Sequence, residues 1–99
     1  MATRIHRGGK NIFGDLGFEP EEAENLRIRS ELMIELSQLI QDRGLTQAKA
    51  ATLLGVTQPR ISDLTRGKID LFSVDTLIAM LGHAGVSVRF STKRRPQVV

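Results

Sequence analysis

The feature that most constrains this chain is the spacing of residues between Gln47 and Leu64. Ala51 falls mid-helix, where only a small side chain lets a second helix cross closely, and Gly55 stands eight residues after Gln47, where a turn needs a positive φ. Val56 plugs the gap beneath that turn. Ile61 and Leu64 then anchor the following helix on the preceding ones. This pattern predicts two short helices joined by a tight turn, a helix-turn-helix. An αα-hairpin that merely packs also uses Ala and Gly, but the number of agreeing anchors favours the motif.

The flanking residues supply the rest of a small helical domain. Pro20 opens a helix with Glu21 and Glu22 in its first turn, favourable at the positive end of the macrodipole. Ile28, Leu32, Leu36, Leu39 and Ile40 line one face at spacings of three and four, and Gly44 stops the run, which predicts a helix over residues 20–43. Thr46 is the expected N-cap of the second helix and Thr57 that of the third, which Gly67 closes. Ser73 is the expected cap of a fourth helix, with Phe72 placed to staple onto Leu77, and Gly82 or Gly85 ends it. Val86, Val88 and Phe90 alternate with Ser87, Arg89 and Ser91, the period of a half-buried strand. The expected fold is mainly α, a four- to five-helix helix-turn-helix domain with one C-terminal strand.

At about 100° per residue with Gln58 at zero, Pro59, Ser62, Asp63 and Arg66 fall between roughly 40° and 140°, while Ile61 and Leu64 fall at roughly 300° and 240°, on the opposite side from them. One side is thus left to enter a major groove, which is wide enough for a helix. Gln58 matches adenine N6 and N7 bidentately and is the first candidate for base readout. Asp63 either accepts from cytosine N4 or pairs along the helix with Arg60 or Arg66.

The run TQAKAATLLGVTQPRISDLTRGK resembles the helix-turn-helix of the lambdoid repressor and Cro (XRE-type) family. That resemblance implies phosphate contacts from Gln47, Arg60, Arg66 and Lys68, with Thr57 as a further donor; such contacts position a protein rather than specify a sequence. Beyond the motif, the segments NIFGDLGF, PEEAENLRIRSELM and GKIDLFSVDTLIAMLGHAGVSVRF are similar to HigA-type antitoxins of toxin–antitoxin pairs. This similarity implies a homodimer on a palindromic operator of double-stranded DNA, and neutralisation of a RelE/HigB-like ribonuclease toxin.

Charge and termini refine these expectations. Fourteen basic against eleven acidic residues give +3, too small an excess to identify a polyanion partner alone. Residues 1–10 hold three bases and no acid, whereas residues 11–24 hold five acids and no base. Residues 1–19 read as a flexible arm, residues 20–91 as the helix-turn-helix DNA-binding and dimerisation domain, and residues 92–99 as a basic tail that either touches phosphates or is simply disordered. Ile12, Phe13, Leu16 and Phe18 either bind the toxin beside the acidic stretch or cap their own core. Leu81, Val86, Val88 and Phe90 are the expected dimerisation residues, the strand pairing either with its two-fold copy or with the N-terminal arm.

Several function classes are excluded. With no cysteine there is no thiolate metal site, disulfide framework or thiol nucleophile, and a cytoplasmic protein is expected. No apolar run approaches the roughly 20 residues that cross a bilayer. His6 and His83 stand in no metal or catalytic spacing, and no phosphate-cradling Gly-rich loop or hydrolase motif is present. Neither a cofactor nor an enzymatic activity is expected.

Overall fold

The computed structural model describes residue 17 and residues 19–94, which form four α-helices and one 3-10 turn. Helix α1 spans Pro20–Asp42, α2 Gln47–Leu54, α3 Gln58–Thr65 and α4 Val74–His83, with the 3-10 turn at Ile69–Leu71 between α3 and α4. The long α1 follows from its apolar stripe: Leu32, Met33, Leu36 and Ile40 are buried, with Ile28 and Leu39 packed at the margin. It stops where Gly44 N–H donates to Gln41 O and Leu45 N–H donates to Ile40 O, the paired bonds that satisfy a helix's last carbonyls.

The core gathers every helix. Leu36, Ala50, Leu54, Ile61 and Leu77 are fully buried, with Leu64, Phe72, Met80 and Leu81 close behind. The two alanines let α2 approach its neighbours where larger side chains would hold it off. Burying each Leu or Ile contributes about 1.5–3 kcal/mol. Phe72 and Leu77, five residues apart, are both buried and bracket the start of α4, where the Ser73 hydroxyl accepts from Thr76 N–H at 3.1 Å.

Three expectations are corrected. Residues 86–94 contain no strand: Val86 and Val88 still alternate with exposed neighbours and pack on the core, but no ladder forms among the described residues. A lone segment has no partner for its backbone groups, so the alternation shows as packing alone. Leu81, expected at a dimer surface, is instead 3% exposed inside its own core, whereas Phe90 is 87% exposed. The Thr57 side chain makes no capping hydrogen bond, although Thr46 caps α2 by accepting from Lys49 N–H. Ile12, Phe13, Leu16 and Phe18 lie outside the described residues.

Candidate nucleic-acid interface

The helix-turn-helix is α2, the turn at Gly55 and Val56, and α3. Gly55 has φ +71°, which an L side chain tolerates poorly, and Val56 N–H reaches back to Ala51 O at 3.0 Å. The turn therefore fixes how α3 leaves α2. Ile61 and Leu64 hold α3 down by one side, at 0% and 1% exposure. Its other side is open.

On that open side Gln58, Pro59 and Arg66 are exposed, and Ser62 and Asp63 are partly exposed. All five are accessible to solvent, as is Thr65, with Arg66 following α3 as its C-cap. Gln47 and Thr57 are exposed at the N-terminal ends of α2 and α3, where unpaired backbone N–H groups and the macrodipole favour an anion. Lys49 is exposed in the first turn of α2; its unremarkable place in the sequence gave no signal. Among the described residues Arg66 makes no ion pair.

Two of the sequence-derived candidates have partners within the chain. The Asp63 carboxylate faces Lys68 Nζ at 3.9 Å rather than Arg60 or Arg66, because the chain doubles back after Gly67 and Lys68 N–H bonds to Asp63 O. The Arg60 guanidinium lies 4.2 Å from the Phe72 ring centroid, and its Nη1 donates to Leu71 O. Arg60 is thereby turned toward the α3–α4 connection. Arg29, which the sequence reading passed over, reaches the same connection from α1, donating from Nη1 to Ile69 O at 3.0 Å and Phe72 O at 3.4 Å. Its only sequence signal is a charge at the border of an apolar stripe.

Away from this interface, α1 exposes Glu21, Glu24, Glu31 and Glu35 along one side, with Glu22 also exposed in its first turn. Arg27 bonds Glu24 at 2.6 Å and Glu31 at 2.7 Å, and the Glu24 hydrogen bond above all raises the guanidinium pKa. Among the described residues no group of carboxylates and histidines is arranged to hold a metal, and no helix is long and apolar enough to cross a membrane.

Comparison with known proteins agrees with this geometry. Residues 12–93 match a family described as a helix-turn-helix domain. A solved chain assigned to the XRE family of transcriptional regulators is 32% identical, with a TM-score of 0.69, over 77% of this chain and 85% of its own length. The chain belongs to the XRE helix-turn-helix family. Within this XRE-family protein, the matched residues take in the whole four-helix unit and both termini of the open α3 face. No curated protein matches it.

Proposed function

We propose that this XRE-family protein is a sequence-specific regulator that reads double-stranded DNA with the open face of α3. The observation that carries this reading is the division of α3 into a buried side, Ile61 and Leu64, and a solvent side bearing Gln58, Pro59, Ser62, Asp63 and Arg66. Gln58, at the leading end, reads base edges. Gln47, Thr57, Arg66 and Lys68 contact phosphates, and Arg60 acts mainly by holding α3 against Phe72.

The regulator works as a homodimer on a palindromic operator. Leu71 and Ile78 are 48% and 41% exposed, and Phe90 is more exposed still, so apolar surface remains beside α4 and along the tail for a second copy to cover. Selection from a randomised duplex library tests the reading: the wild-type protein is expected to enrich two half-sites about one helical turn, roughly 34 Å, apart. Recovery of no preferred sequence contradicts it.

Within this reading the protein is also an antitoxin that represses its own operon and neutralises a RelE/HigB-like ribonuclease toxin. The exposed carboxylates of α1 support it, since they suit a basic ribonuclease, and the apolar residues Ile12, Phe13, Leu16 and Phe18 precede them in the chain. Deleting residues 1–18 is expected to release the toxin and leave DNA binding largely unchanged. A free-standing repressor accounts for the α3 face equally well, and a partner-free dimer that still binds DNA selects it.

A further inference from the structure

Helix α3 begins without a side-chain cap, so its direction is set from outside, through its packing and through the turn before it. The turn is met by the end of α4. His83, the last residue of α4, lays the outer edge of its ring on Gly55: a Cβ at position 55 would stand 2.9 Å from His83 Cε1 and Nε2 and 3.0 Å from Cδ2. Real Cβ atoms essentially never approach so closely, so the ring takes the room a side chain would fill. Gly55 is required by its φ of +71°, and the exposed imidazole lies against it.

We infer that His83 is a positioning residue for DNA reading, seating the turn at Gly55 so that α3 presents Gln58 and Arg66 at the correct angle. The inference rests on the proposed role of α3. It also links two functions of the domain, because α4 carries the exposed Ile78 of the proposed dimer surface and ends in the ring that touches the turn.

His83 is exposed and contributes no buried volume of its own, so its replacement leaves the core intact. The test compares wild type, His83→Ala and His83→Phe on a duplex selected by the wild-type protein and on a scrambled duplex. His83→Ala is expected to lose about fivefold in affinity for the selected duplex and little for the scrambled one, since phosphate contacts are untouched. His83→Phe, which keeps a flat ring over Gly55, is expected to restore binding. A loss on both duplexes in equal proportion indicates simple destabilisation and overturns the inference, as does full affinity in His83→Ala.

A double-variant cycle adds an independent reading. Gly55→Ala displaces the ring, so adding His83→Ala to it is expected to cost almost nothing further; additive losses overturn the coupling. A wild-type protein with no preference between the duplexes would instead refute the DNA reading itself, and the inference with it.

Discussion

Arg60 on α3 and Phe72 before α4 form a single clasp: the guanidinium lies 4.2 Å from the ring centroid while the ring itself is 2% exposed in the core. The same guanidinium donates to Leu71 O at 3.0 Å, and Arg29 satisfies Ile69 O and Phe72 O from the other side. Two arginines from different helices thereby order the connection that follows α3.

Arg60→Ala removes both a cation–π contact and a charge-assisted hydrogen bond, which together contribute about 1–3 kcal/mol. A thermal melt is expected to fall by at least about 4 °C for a domain of this size. The slope of log affinity against log salt is expected to stay unchanged. A reduced slope would make Arg60 a phosphate ligand instead.

Arg66→Ala behaves in the opposite way, because Arg66 is exposed and makes no ion pair among the described residues. Its melting temperature is expected to match wild type, while the salt slope falls by about 1 as one phosphate contact is lost. Titration of duplex DNA at several salt concentrations reads this directly.

The Asp63–Lys68 pair spans 3.9 Å with both side chains partly in solvent, so its loss costs less than about 1 kcal/mol. Asp63→Asn is expected to leave stability nearly unchanged and to raise affinity for non-specific duplex at low salt, because one negative charge is removed and Lys68 loses its partner. Unchanged non-specific affinity would place Asp63 away from the DNA.

Leu64→Ala and Ile61→Ala empty sites that are 1% and 0% exposed beneath α3. Each is expected to cost about 2–5 kcal/mol in denaturant unfolding, the usual range for truncating a buried aliphatic side chain. A cost below about 1 kcal/mol would mean α3 is not clamped by that side.

The four helices and the open face of α3 were legible in the sequence because each depends on local signals. Apolar residues at spacings of three and four mark α1, and Gly55 with Ile61 and Leu64 marks the turn and its anchors. What escaped was tertiary. The Arg60–Phe72 clasp, the Arg29 bonds and the His83–Gly55 contact join residues 12, 40, 43 and 28 positions apart, and no periodicity records such pairings. The strand at residues 86–91 was misread for a related reason: alternation reports which side chains pack, whereas a strand also needs a neighbour to bond.

The most direct measurement is the binding of the Gln58→Ala/Arg66→Ala double variant to a duplex selected by the wild-type protein, with circular dichroism recorded on the same samples. Both residues are exposed while Ile61 and Leu64 are buried, so the helical spectrum is expected to remain while preference for the selected duplex over a scrambled one disappears. Retention of that preference would show that another surface reads the DNA.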